Sequence, residues 1–591
     1  MGSKGFAVEL YGNDMDLGGI TLGSGSFTAY AKNNGGDVAD ITISDAIAKS
    51  VAGSSTLTLN ADNNINSNYN IGSSNGALDI NLAADYENNG TGDINLGAIT
   101  LASRNGAINL NRPVVMTGAN TWNAGTGTIT TGSSVSMGAN DLTMIADDAS
   151  IGGNITGSGA SVLTIRPFTN TQAVNLGGGA GGLNLNDTEL GYLSGMSALV
   201  IGSTASIGDV GINTWNASSK SFDVQIFGKN VDVGGLILGG GDVTIYSKGG
   251  DVTVSANGTS NSAGDLNILT NGNITVNAAL VNNGTGTMNL FAGWDGASAI
   301  GAPGAFDRDA VDLGLTARDI TLGTNGRISS NGTGTSVLIV AKDDFINNSS
   351  SGVTAISAAG GRYLVYASHW DETIKGGLTG KNLYNTNYNS TPVSSVAATG
   401  SHFIFAALPT LTVRADDKIS HDGAAVTYTY TLSGLVTGDL LADALSGTPT
   451  YTLGTRTIND QPIILGAGTL ASSLGYNIVR VNGNLTYTGL GAVGYVPPVT
   501  PVENPLDTSI VNHATNLGKT SVTELTPASE AGGFGTVGQN TDTAAQAQNG
   551  DNGGESEEDS AEAKDDNKSN YDPRAKTGCL VSDGMTGGCL L

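Results

Sequence analysis

Two cysteines, Cys579 and Cys589, are the whole thiol inventory of this 591-residue chain, and both fall within its last thirteen residues. Nine residues separate them, several of them Gly or small polar turn formers. A pair confined in this way fits a small closed loop made in an oxidising compartment. Closing it would remove roughly 3 kcal/mol of unfolded-chain entropy, which hardly stabilises a body hundreds of residues away. The loop reads instead as a rigid knob that resists being drawn through a pore and offers a partner a fixed surface. Cys-x9-Cys with no nearby His is poor spacing for zinc, and only Leu590 and Leu591 follow Cys589, too few for prenylation. Two ordinary reduced thiols remain the alternative.

Candidates for catalysis are sparse. Asp307, Arg308 and Asp309, or Arg318 with Asp319, have the types that polysaccharide lyases and hydrolases project from neighbouring strands. No dense set of Asp, Lys, Arg and His accompanies them, and a solvated corner explains each more simply. The four histidines, His369, His402, His421 and His513, are too scattered for a triad or metal motif. Gly239-Gly-Gly-Asp-Val-Thr-Ile looks like one unit of a calcium-binding nonapeptide array, but no tandem run follows. Asn-x-Ser/Thr triplets, at Asn89, Asn154, Asn257, Asn273, Asn283 and Asn331 among others, are frequent in an Asn- and Thr-rich chain. The sequence therefore points to no enzyme, cofactor or resident metal.

Composition narrows the partners. With 25 Lys+Arg against 52 Asp+Glu the net charge is −27, a surface that repels phosphate and argues against a nucleic-acid role. No apolar run reaches the eighteen or so residues of a membrane helix, and the cluster at 337–341 is short and β-branched. The first residues lack an apolar signal core, and alternation is already running at Phe6-Ala-Val-Glu-Leu10, so the chain reads as though it starts in mid-pattern.

The positioning elements are short strands. From residue 6 to about 360, a Gly-, Asn- or Asp-rich corner repeatedly precedes an apolar-polar-apolar triplet: Asp40-Ile-Thr-Ile, Asp79-Ile-Asn-Leu, Asp93-Ile-Asn-Leu, Asp242-Val-Thr-Ile, Asp251-Val-Thr-Val, Asp265-Leu-Asn-Ile, Asn273-Ile-Thr-Val and Asp319-Ile-Thr-Leu. Period-2 spacing is that of a strand with one buried face. The corners recur too, at Asn88-Asn-Gly-Thr-Gly, Asn282-Asn-Gly-Thr-Gly and Asn331-Gly-Thr-Gly, where Asn and Gly tolerate positive φ. Aromatics are 5%, and the outward positions are mostly Thr, Ser and Asn. Uncharged ladders of that kind stack well coil upon coil, which favours a solenoid over a sandwich. The expected fold is all-β: a right-handed parallel β-helix stalk over 1–360, a rod on the order of 70 Å long.

Residues 361–409 are bulkier and more aromatic, as in Arg362-Tyr-Leu-Val-Tyr-Ala and His402-Phe-Ile-Phe, and are expected to close the solenoid's open end. Residues 410–490 read as a small all-β module. Residues 491–576 read as a disordered acidic linker, since 501–591 carries 15 Asp+Glu against 5 Lys+Arg with few apolar clusters. The anchor loop occupies 577–591.

Several stretches resemble the filamentous-haemagglutinin-like exoproteins of two-partner secretion systems. They are Thr164-Ile-Arg-Pro-Phe-Thr, Val174-Asn-Leu-Gly-Gly-Gly, Gly376-Gly-Leu-Thr-Gly, Leu411-Thr-Val-Arg-Ala-Asp-Asp-Lys and Thr427-Tyr-Thr-Tyr-Thr-Leu-Ser-Gly-Leu. The terminal Cys579/Cys589 pair resembles the anchor of the high-molecular-weight adhesins. The resemblance implies a C-terminal exoprotein portion at the bacterial surface, tethered by a disulfide loop to an outer-membrane transporter and binding a host-cell or neighbouring-cell receptor or glycan. Family members begin with a signal peptide and secretion domain that are not recognisable here. The other readings are an autotransporter passenger, against which the last 90 residues lack barrel-like strands, and a secreted β-helical polysaccharide-active enzyme.

Overall fold

The structure, a computed structural model, describes residues 6–33, 38–88, 90, 92–294 and 318–489. Strands make up 47% of it and helix 3%, and the long sheets are parallel, consistent with a parallel β-helix or solenoid. Among the described residues the principal sheets have 21, eight, eight and four strands.

One row of side chains shows how alternation becomes a core. Trp122 pairs with Met144, Met144 with Ile165, and the row continues through Ile201, Ile226, Ile245, Ile268, Leu290, Ile339 and Val365 to Phe403. Every member is essentially inaccessible to water. A second sheet supplies Val210, Val231, Val252, Ile274, Ile320 and Phe345 in the same fashion. Each buried Ile, Leu or Val contributes about 1.5–3 kcal/mol of transfer free energy, and β-branched side chains suit the pleat. The rows join in one apolar cluster that also includes Leu411, Val413, Ile463 and Leu485 of the following module.

The corners work in more than one way. Asn88 and Asn105 do adopt positive φ, at 58° and 73°. Asn282 turns its corner by side chain instead: its buried Oδ1 accepts the Ser262 and Gly284 N–H groups at 2.9 and 3.0 Å.

The 361–409 stretch adds rungs rather than only ending them. Gly361–Ala367 pairs in parallel with Gly334–Ala341, and His402–Phe405 pairs with Gly361–Ala367. Residues 384–396, within it, pack on the outward side of the long sheet. There Leu269, Phe291, Val340, Tyr366 and Ile404 form an outward apolar row, covered by Tyr388 and Val396. The Tyr366 hydroxyl donates to the Thr391 carbonyl at 2.8 Å, and Arg362 donates to the Val393 carbonyl at 3.2 Å.

The module at 410–489 uses mixed pairing. Thr410–Ala415 lies between antiparallel Tyr430–Ser433 and parallel Asn477–Val481. Gly483–Thr488 lies between parallel Lys418–His421 and antiparallel Asp460–Gly466, which also pairs with Thr450–Leu453.

Candidate functional site: acidic ladders and the outward face

The Asp or Asn before each triplet has a chemical role that its sequence position does not announce. Asp209 Oδ1 accepts the Asn230 N–H, Asn230 that of Asp251, Asp251 that of Asn273, Asn273 that of Asp319, and Asp319 that of Asp344, at 2.7–3.3 Å. The steps are 21, 21, 22, 46 and 25 residues, so each bond joins one coil to the next. The 46-residue step contains 295–317, which holds Asp307, Arg308 and Asp309; these lie outside the described residues. Similar ladders run through Asp14, Asp40 and Asn64, and through Asp223, Asp242 and Asp265. A carboxylate or amide oxygen on the N–H of the residue just before a strand satisfies a donor that the corner leaves open.

Side chains between the corners form outward ladders. Asn95 donates to Asn66 at 2.9 Å, Asn109 to Asn81 at 2.6 Å, and Asn289 to Asn267 at 2.8 Å. These rows present stacked amides and hydroxyls to solvent without net charge. Aromatic rings interrupt them in two places, Tyr11 on Tyr30 at 4.9 Å between centroids and Phe227 on Tyr246 at 4.7 Å.

The sequence-derived candidates separate in space and in role. Asp319 is a ladder rung, and Arg318 donates to the Asn271 carbonyl. His402 is buried, with Nδ1 3.0 Å from the Gly400 carbonyl, and burial holds its pKa below the ordinary value. His421 Nδ1 lies 2.6 Å from Thr488 Oγ1. His369 Nδ1 lies 3.6 Å from a Glu372 carboxylate oxygen. His513, Cys579 and Cys589 lie outside the described residues.

The ladder through Asp209 changes character at its last rung. Asp and Asn alternate from Asp209 to Asn273, but Asp319 and Asp344 place two carboxyls in succession. Burial first, then Asp343, Glu372 and Asp319, push the Asp344 carboxyl up to about 7. Its Oδ1 is closed to solvent and accepts no N–H, while the carboxyl lies within hydrogen-bond reach of Glu372.

A second polar cluster joins coil to module. Asp439 accepts the hydroxyls of Tyr384 at 2.8 Å and Tyr476 at 2.6 Å, and the Asn382 amide at 2.6 Å. The Lys375 ammonium donates to Asn382 Oδ1 at 2.6 Å and lies 4.4 Å from the centre of the Phe403 ring. Burial, reinforced by the bond to Asp439, pushes Tyr476 up to about 12. The sequence carries no signal for this junction and little for the buried Lys49. Lys49 donates to the Gly53 and Asn75 carbonyls at 2.7 Å. Its one signal is a Lys at an inward position of Ile47–Lys49.

No family model, curated protein or solved structure matches the chain.

Proposed function

We propose that this chain is a surface-exposed adhesin fragment of the filamentous-haemagglutinin-like type. In this reading a right-handed β-helical stalk and a small β module are carried on an acidic tether, and a Cys579–Cys589 loop is held by an outer-membrane two-partner-secretion transporter. The observation that carries the proposal is the outward surface. Uncharged Asn and Thr rows bonded coil to coil cover a continuous apolar column. Such a surface is stiff and polar, and it suits display and contact with a receptor or glycan at a host or neighbouring cell more than turnover. The long acidic stretch at 501–591 matches a spacer between stalk and membrane.

Expression beside a candidate transporter gene, with surface and medium fractions assayed by immunoblot, tests the tether. Cys579→Ser or Cys589→Ser is expected to move most of the protein into the medium, and equal retention of variant and parent refutes the anchor. Adhesion itself is read by binding of the full chain, immobilised on beads, to cultured cells and to glycan arrays. Binding no greater than that of albumin-coated beads refutes it.

A further inference from the structure

We propose that Asp343, Asp344 and His369 form a binding site for one zinc ion at the last rung of the acidic ladder. Each residue offers a ligand atom, and these atoms lie within 4.8 Å of one another. Among the described residues this is the one group of three His, Cys, Asp or Glu side chains so placed.

Two observations support the site independently. The first is its donor set: two carboxylates and an imidazole on separate segments. Asp343 and Asp344 precede Phe345–Asn347, and His369 follows Gly361–Ala367. The second is the state of Asp344. At every earlier rung an Asx oxygen accepts an N–H from the next coil, whereas the sealed Asp344 Oδ1 accepts none and its carboxyl faces the Glu372 carboxyl instead. Two carboxyls facing each other at a part-buried position are costly unless a proton or a cation lies between them, and a cation would satisfy both.

The local backbone holds the ligands in place before any ion arrives. The Asp344 N–H is fixed on Asp319 Oδ1 at 3.0 Å, and the Ser368 N–H donates to the Asp343 carbonyl at 2.7 Å. That second bond pins the residue before His369 to the acidic pair. The His369 side chain is about half exposed, which leaves a route for the ion. Glu372, 3.6 Å from His369 Nδ1, would supply a fourth ligand atom or orient the ring. Calcium wants six to eight oxygens, whereas a small set of imidazole and carboxylates suits tetrahedral zinc. Bound there, zinc would clip the last rung of this ladder to the segment that leads into 384–396.

The test uses the full chain carrying Cys579→Ser and Cys589→Ser, so that thiols do not compete, after EDTA treatment and dialysis. Calorimetric titration with zinc chloride is expected to show one equivalent bound, with Kd on the order of 1 µM. Asp344→Asn and His369→Gln should each weaken it at least tenfold, while Asp251→Asn, on a distant rung, leaves it unchanged. His369 is exposed, so its variant should keep the parent circular-dichroism spectrum even if Asp344→Asn perturbs folding. Cobalt added to the metal-free protein should give visible d–d bands that His369→Gln abolishes. No zinc uptake at 100 µM, uptake indifferent to His369→Gln, or preference for calcium over zinc would overturn the proposal.

Discussion

The stacked coils and the 410–489 module share the same strand alternation and the same turn residues, yet they are held together differently. In the coils most strands have parallel neighbours on both sides and an inward row that is almost completely dry, as at Ile245, Ile268 and Leu290. In the module the strands are mixed in direction and more exposed. Asn477–Val481 has no buried residue, and Thr450–Leu453 is mainly solvent-facing. The coils rely on repetition, each rung serving as template for the next. The module relies on a few inward residues, Leu411, Val413, Ile463 and Leu485, and on the Asp439 junction to Tyr384 and Asn382. Periodic burial distributes stability along an axis, whereas a small domain concentrates it in single contacts.

The sharpest way to break this contrast is a charge in the column. Ile268→Asp buries an unpaired carboxylate and is expected to cost about 4 kcal/mol or more. Limited proteolysis should then cut in the neighbouring coils, between 243 and 292, while Leu485→Asp should expose only 410–489. Cleavage spread along the whole chain by either variant would erase the distinction.

Next in size is Asp439→Ala, which strips the acceptor from two tyrosine hydroxyls and an amide at a part-buried junction. A loss of about 2–4 kcal/mol is expected in the module's unfolding transition. The coils' transition should stay in place when the two are followed by hydrogen exchange. A common shift of both would make module and coils one cooperative unit.

The ladders should matter less, because each bond is one of many. Asp251→Ala is expected to cost about 1 kcal/mol and to speed exchange of the Asn273 amide, while Asp251→Asn keeps an acceptor and should stay within roughly 0.5 kcal/mol of the parent. Equal loss from both variants would locate the contribution in charge rather than in the hydrogen bond.

The smallest effect concerns pH. Burial lowers the pKa of His402 in the folded chain, opposed by its bond to the Gly400 carbonyl and assisted by nearby Arg362 and Lys381. The unfolded chain therefore takes up the proton first. Stability should fall as pH drops through the ordinary histidine value near 6.5, and level off below the folded value. His402→Gln should remove on the order of 0.5 kcal/mol of that dependence, measured by urea midpoints at pH 7.5 and 5.5.

Much of the architecture is legible in the sequence. Val243 and Ile245, or Ile94 and Leu96, announce which face of a strand is buried, because side chains alternate across a pleat. Less of the chemistry was legible. Asp251 and Asn273 stood out as turn formers, but the bond between them depends on which coil lies above which. Coil lengths of 19 to 46 residues hide that register. The run at 337–341, apolar on both faces, did carry a signal for the outward layer, since Leu338 and Val340 are covered from outside.

By itself, then, the sequence determined strand, corner, inward face and an acidic excess, because these follow from residue type and a period of two. Tertiary structure alone decided the partners. It set Asp319 on Asp344, Asp439 on Tyr384 and Tyr476, and Tyr388 over Phe291, since long-range contacts depend on coil register and on where an irregular segment folds back.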